Sequence, residues 1–330
     1  MRYQVRSAAL TGFQAEVGSA LAGLLEGTTL SLEQLQDGDR LLDVEPLQAL
    51  MERAARRLGR QDLGLRVARH QGLEMLGVLG LLITRAASLR EAFGAAQNHM
   101  ALHSSAEYWR MQQYGDHVRI YRTDHALSAH PAQQYREMAL AVFHRLARLL
   151  GGSDISPRRI EFAHSAVSSL KTYTAYFGCE VLFDQECDCL VYPGTLFDHP
   201  MRRPEVIPSA SVDPRWAAIR DGLGQHLELQ VRNLIAQTLG LQRLALDDIA
   251  RLLGLHPRAL QRRLAAQQLC FKQLLQEVKM NTACWHLRAS SLDITRLSHM
   301  LGYADLSAFS RAFRSHFGRS PRQWRQAHAS

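Results

Sequence analysis

The chain has 330 residues, 46% of them hydrophobic and 21% charged, with a formal net charge of +8. That is length for two domains of about 100–200 residues each, and the apolar content excludes an intrinsically disordered chain. The charge is uneven: residues 211–330 carry 17 Lys+Arg against 8 Asp+Glu, while the first 210 carry 22 against 23.

Residues 1–10 mix Arg2 and Arg6 with polar side chains and lack the apolar stretch of a signal peptide. Residues 47–58 and 63–83 have helical spacing. Within the second, the most apolar run covers residues 73–83 and contains Glu74. A membrane span needs about 20 such residues, so the run reads as a buried helix, with Gly77 and Gly80 permitting close packing. Residues 88–103 read as a helix with Ser88 as N-cap and Glu91 completing a capping box. Residues 107–113 and 117–123 form a strand pair around Gly115-Asp116. A long helix over residues 132–150 ends at Gly151-Gly152. Residues 159–163 read as a strand and 167–177 as a helix closed by Gly178. Residues 181–183 and 189–192 read as short strands. The result is an α+β domain over residues 1–205 with a partly antiparallel sheet.

Several residue groups in this part invite a chemical reading. Cys187 and Cys189, with Cys179 and His199, lack the Cys-x2-4-Cys spacing of structural zinc sites, so no metal site is expected. The five cysteines, odd in number and irregularly spaced, fit free thiols in a reducing cytoplasm. His99 and His103 stand four apart, yet the chain has neither a His-Glu-x-x-His pattern nor a nucleophile elbow. No catalytic residue and no cofactor is expected. Tyr108, Trp109, Tyr114 and Tyr121 either line a ligand cavity or pack as ordinary strand aromatics.

Pro200, Pro204, Pro208 and Pro214 break regular structure over residues 198–214, with the linker itself at 206–214. From residue 215 to 330 every periodic segment is helical: residues 216–239, 245–253, 257–268, 271–291, 294–301, 306–317 and 321–327. A weak repeat lies inside. Ile249 to Gly254 and Leu297 to Gly302 are short amphipathic helices running into a glycine, and each is followed by a second helix. That is the helix-turn-helix layout, twice. In the second helix of the first copy, Leu260 and Leu264 mark one side, and Arg258, Gln261 and Arg262 another. In the second copy Phe309 and Phe313 mark the buried side while Ser307, Ser310, Arg311 and Arg314 point away, with Asp305 as N-cap. Arg and Gln read guanine and adenine edges in the major groove. Residues 271–291 form a continuous helical pattern of about 30 Å at 1.5 Å per residue, close to the roughly 34 Å of one B-DNA turn. A rigid spacer of that length can hold two reading helices in successive grooves.

Residues 248–326 resemble the DNA-binding domain of AraC/XylS-type bacterial regulators. The similarity lies in Pro257-Arg258-Ala259-Leu260-Gln261-Arg262-Arg263-Leu264, in the stretch from Leu301-Gly302-Tyr303 through Phe309-Ser310-Arg311-Ala312-Phe313, and in Phe317-Gly318-Arg319-Ser320-Pro321. His256 stands where the family favours a Ser cap, Leu306 where a polar residue is common, and Lys279 where an Arg is usual. The N-terminal part is similar to the sensor domain of ornithine-utilisation-type regulators, through Asp62-Leu63-Gly64-Leu65, Ser88-Leu89-Arg90-Glu91-Ala92-Phe93 and Tyr176-Phe177-Gly178-Cys179. The resemblance implies base contacts by Arg258, Gln261 and Arg262 in one groove and by Leu306, Ser307, Ser310 and Arg311 in the next. Arg263 and Arg314 complete the expected DNA-binding set. Promoter DNA and RNA polymerase are the implied partners. A small-molecule effector and a second copy of the chain stay open as partners of the N-terminal domain.

Two other classes remain to be set against this reading. A DNA-repair alkyl-transfer enzyme on the same DNA-binding domain would need a reactive cysteine in a Pro-Cys-His-Arg signature, and none of the five sits in one. A ligand-independent regulator would use its N-terminal domain only to oligomerise.

Overall fold

A computed structural model of the chain describes residues 3–124, 132–201, 227–239, 244–289 and 292–328. Two compact units emerge: Met1–Arg122 with Ser128–Ser211, and Thr123–Leu127 with Val212–Ser330. The expected linker at residues 206–214, the first half of the helix expected over residues 216–239, and Gly240 lie outside the described residues.

The first unit opens with β1 (Gln4–Arg6), three short helices α1 (Phe13–Val17), α2 (Leu21–Leu25) and α3 (Leu32–Gln36), and β2 (Leu41–Asp43). β1 and β2 pair antiparallel with Val5 opposite Leu42. α4 (Val44–Leu58) buries Leu47, Leu50, Met51 and Ala54, the i, i+3, i+4, i+7 stripe of an amphipathic helix. The helical spacing of residues 63–83 does not give one helix. It breaks into α5 (Leu63–Ala68), a single 3-10 turn (Leu73–Leu76) and α6 (Val78–Ile83). Gly77 is the break: its φ is +59°, and a Cβ there would lie 2.5 Å from the Arg6 guanidinium. Gly80 does serve close packing, since a Cβ would come within 2.4 Å of the Leu73 carbonyl oxygen.

α7 (Leu89–His99) begins as expected, with Ser88 Oγ accepting from the Glu91 N–H at 3.2 Å. The return bond differs from a capping box, because Glu91 Oε2 accepts from the Ala87 N–H rather than from that of Ser88. β3 (Glu107–Tyr114) and β4 (His117–Asp124) form a hairpin across Gly115-Asp116. α8 (Gln133–Gly151) follows, then β5 (Arg159–Glu161), α9 (Leu170–Phe177), β6 (Glu180–Leu182) and β7 (Asp188–Pro193). The sheet order is β3-β4-β7-β5-β6. β7 is antiparallel to β4 and β5, and β5 runs parallel to β6 through the α9 crossover.

α8 is the spine of this unit. Gly64 lets α5 press against it, since a Cβ at Gly64 would come within 2.2 Å of the Gln134 carbonyl oxygen. The unit also buries ionisable groups, and its buried Arg122 and Arg136 meet carboxylates. Arg136 meets Asp188 in a bidentate bridge, with Nε and Nη2 both at 2.6 Å. Arg122, fully buried, donates to Glu107 Oε2 from Nε at 3.0 Å and Nη2 at 2.5 Å. The Tyr173 hydroxyl donates to Glu137 at 2.7 Å. Burial pushes the Glu137 carboxyl up to about 8.

The second unit is helical throughout its described residues: α10 (Leu227–Thr238), α11 (Leu246–Leu252), α12 (Pro257–Ala266), α13 (Phe271–Ala289), α14 (Ile294–Met300), α15 (Leu306–Phe317) and α16 (Pro321–His328). α13 packs against α10, α14 and α16. Arg232 of α10 bridges Glu228 at 2.8 Å and Glu277 of α13 at 2.5 Å.

Candidate nucleic-acid interface

The two repeats fold alike. α11 and α12 pack together, as do α14 and α15. The turn glycines Gly254 and Gly302 have φ of +65° and +72°, the left-handed backbone that a Cβ makes costly. In each repeat the N–H just past the glycine closes the turn: Leu255 donates to Ala250 O at 2.8 Å and Tyr303 to Ser298 O at 3.0 Å.

The caps differ. Asp305 caps α15 through an Oδ1 that accepts from the Ala308 N–H at 2.6 Å. His256 caps α12 with its ring instead: Nδ1 accepts from the Arg258 N–H at 3.3 Å, and Pro257 occupies the first helical position. The imidazole therefore fills the role of the usual Ser hydroxyl over a longer bond. Asp293 caps α14 from Oδ1 to the N–H groups of Thr295 at 2.8 Å and Arg296 at 3.1 Å. Sequence reading overlooked this cap, although an Asp directly before Ile294 was the available signal.

α12 turns Leu260 and Leu264 inward, both buried. Arg258, Gln261, Arg262 and Arg263 are all exposed. At about 100° per residue, Arg262 stands opposite the buried pair, Arg258 lies beside it, and Gln261 and Arg263 lie at equal angles on the two flanks of the core. α15 buries Phe309 and Phe313. Ser307, Arg311 and Arg314 are exposed, Ser310 is half-buried, and Arg311 stands opposite the phenylalanines. Leu306, at the helix start, is 37% exposed. Among the described residues none of these five arginines forms an ion pair. Each helix thus carries a cationic, hydrogen-bonding face with no counter-charge, backed by an apolar stripe that fixes it.

The two repeats are held by different cores. Behind α15 the rings of Phe313, Phe317 and Trp324 meet at centroid distances of 4.7 Å (Phe313–Phe317) and 4.8 Å (Phe317–Trp324), so α16 clamps α15. Lys279 on α13 sits 4.7 Å above the Tyr303 ring, placing a cation–π contact at the turn of the second repeat. α13 itself covers 19 residues, about 28 Å. Ser290 and Ser291, which end the expected spacer, lie outside the described residues.

The first unit holds a second candidate site. An apolar cavity of about 120 Å³ lies among α6, α7, α8, the 73–76 turn and β3. Of the four aromatics singled out on the strands, only Trp109 lines it, stacked on Phe143 at 5.3 Å. His103 lines it too, whereas His99 does not. Among the described residues no cluster of three or more His, Cys, Asp or Glu side chains could hold a metal ion. No helix there is long and apolar enough to cross a membrane.

Paired helix-turn-helix repeats on a shared helix, with exposed arginines on both reading helices, define a DNA-binding regulator. The family described as the arabinose-binding domain of AraC transcription regulator matches residues 18–201, and a helix-turn-helix domain family matches residues 249–327. The chain belongs to the AraC family of transcription regulators. It is 30% identical over 298 residues to the HTH-type transcriptional regulator VirS of Mycobacterium tuberculosis, covering 87% of this chain and 85% of that one. It is 24% identical over 323 residues to the ornithine utilization regulator of Pseudomonas aeruginosa, covering 97% and 94%. The crystal structure of the transcriptional regulator CdpR from Pseudomonas aeruginosa aligns over 95% of this chain and 98% of its own, at 20% identity and a TM-score of 0.44.

Proposed function

We propose that the chain regulates bacterial promoters by reading two adjacent major-groove segments, α12 in one and α15 in the next. Arg258, Gln261 and Arg262 contact base edges from α12, and Ser307, Ser310 and Arg311 from α15. Leu306 meets a thymine methyl, and Arg263 and Arg314 hold phosphates. The observation that carries this reading is the exposed, unpaired arginine face opposite the buried stripe on both helices. The protein acts in the cytoplasm, without catalysis of its own, by recruiting or obstructing RNA polymerase. Activation is the mode suggested by relatives described as transcriptional activators, such as one from a Rhodococcus species that shares 32% identity over 100 residues.

The N-terminal unit, residues 1–205, serves as the sensor, joined by residues 206–214 to the DNA-binding unit over residues 215–330. The apolar cavity favours ligand sensing over a unit that only assembles two copies. A ligand would act by binding one arrangement of the protein more tightly than another.

Footprinting of the full chain on its own upstream region tests the DNA reading. Two protected blocks about one helical turn apart are expected on one face of the duplex. A uniform, sequence-independent pattern would overturn it.

A further inference from the structure

The chemistry of the cavity wall narrows what the sensor unit can accept. Most of the wall is aliphatic or aromatic, drawn from Leu76, Leu79, Phe93, Val142 and their neighbours on the same elements. Among the described residues no Lys or Arg lines it. Its one acidic residue, Glu107, gives its carboxylate to Arg122 at 2.5 Å. Gln97 uses its amide N–H on the Trp109 carbonyl oxygen at 3.0 Å. A charged ligand would therefore enter without a counter-charge, and burying an unpaired charge costs several kcal/mol. A sugar would bring hydroxyls far in excess of the partners on offer, each left unsatisfied on burial.

Two polar atoms stay unmatched. Gln71 is buried and lines the cavity. Its Nε2 donates to the carbonyl oxygens of Ala9 at 2.8 Å and Thr11 at 3.3 Å, which fixes the amide orientation. Its Oε1 has no partner among the described residues. His103 also lines the cavity, and its Nδ1 has none either. Burial, with Arg6 nearby, holds that ring down to about 3, so it is neutral, and its Nδ1 accepts in the tautomer that carries the proton on Nε2.

The geometry points to an uncharged, mainly apolar ligand carrying one hydroxyl or N–H donor, seated in the cavity with its donor at Gln71 or His103. The volume is comparable to the roughly 150 Å³ of a dry cavity that admits benzene, which sets the size at a ring or a short alkyl chain. This inference rests on the proposal that the N-terminal unit is a sensor. It excludes arabinose and ornithine, the compounds named in the family description and in one relative, as occupants of this cavity.

The test uses the full chain and a matched series: hexan-1-ol, its isomer 1-methoxypentane, hexanoate and hexylammonium, with L-arabinose and L-ornithine alongside. Thermal shift and calorimetry read binding. Hexan-1-ol is expected to raise Tm and to bind about 3- to 10-fold more tightly than the ether, which cannot donate. Hexanoate and hexylammonium should bind more than about 10-fold more weakly than the alcohol. Ala96→Phe, which fills the cavity, should abolish the response; if that variant fails to fold, the ligand series on the natural chain still decides. A flat response to both neutral probes, or equal binding by either ion, by arabinose or by ornithine, would overturn the assignment. Such a failure leaves the DNA reading intact, because footprinting is done without any ligand. Binding as expected with no change in operator affinity would support the cavity chemistry and sink the sensor proposal instead.

Discussion

The buried arginines of the first unit and the exposed arginines on α12 and α15 of the second do opposite work. In the first, Arg122 and Arg136 are buried and each meets a carboxylate of the same chain. In the second, Arg258, Arg262, Arg311 and Arg314 are exposed without any such partner among the described residues. A guanidinium with an internal counter-ion holds the fold, because removing one member strands a buried charge. One without a counter-ion, on a helix face with no packing duty, is available to an external anion, and phosphate and guanine edges suit its planar fork.

The sharpest way to break this contrast is to exchange the expected phenotypes. Arg136→Met should destabilise the first unit by about 3–5 kcal/mol, read by chemical denaturation, since Asp188 would lose its bidentate partner. Arg262→Ala should leave stability within about 0.5 kcal/mol yet weaken a cognate site by about 1–3 kcal/mol and relax base choice. If Arg262→Ala lowered affinity equally for every sequence, the residue would hold phosphate instead.

The buried carboxylate gives a finer contrast. Glu137 binds its proton up to about 8 in the native state, against an ordinary 4.5. The native state then holds a proton that the unfolded chain has released, so stability falls as pH rises from about 5 to 8. His103, His144 and His164 work the other way. Burial holds them at about 3, 4 and 4, and the stability tied to them is lost as pH drops below 6.5. Between pH 6.5 and 8 the Glu137 effect stands alone in this group, with a slope of up to about 1 kcal/mol per pH unit. Glu137→Gln should flatten that limb in a series of thermal melts. The smallest effect belongs to a cap: Asp305→Ala should cost about 1 kcal/mol of stability, measured by denaturation, while leaving the first unit unchanged.

The repeat was legible because its signals are local. A glycine after a short amphipathic helix, a polar cap and an apolar pair at i, i+4 all lie within about 20 residues, so Gly254, Gly302, Asp305 and the Leu260/Leu264 and Phe309/Phe313 pairs could be placed from sequence. The N-terminal misreadings have non-local causes. Residues 63–83 carry a helical period, but Gly77 turns left-handed beneath Arg6, some seventy residues earlier in the chain. The five-residue helices α1, α2 and α3 are too short for a period to emerge. Glu107, Arg122, Arg136 and Asp188 look like solvated charges on paper, and only the fold brings them together inside. The cavity is built from five separate segments and leaves no motif.

The unlike cores behind α12 and α15 carry an evolutionary consequence. One of these helices turns leucines inward and the other a clamp of Phe313, Phe317 and Trp324. Changes on the outward side of either helix then add independently. Under the proposed two-groove reading, a lineage could respell half of its operator while the other half still recruited the protein to DNA, so new regulatory targets would be reachable one word at a time.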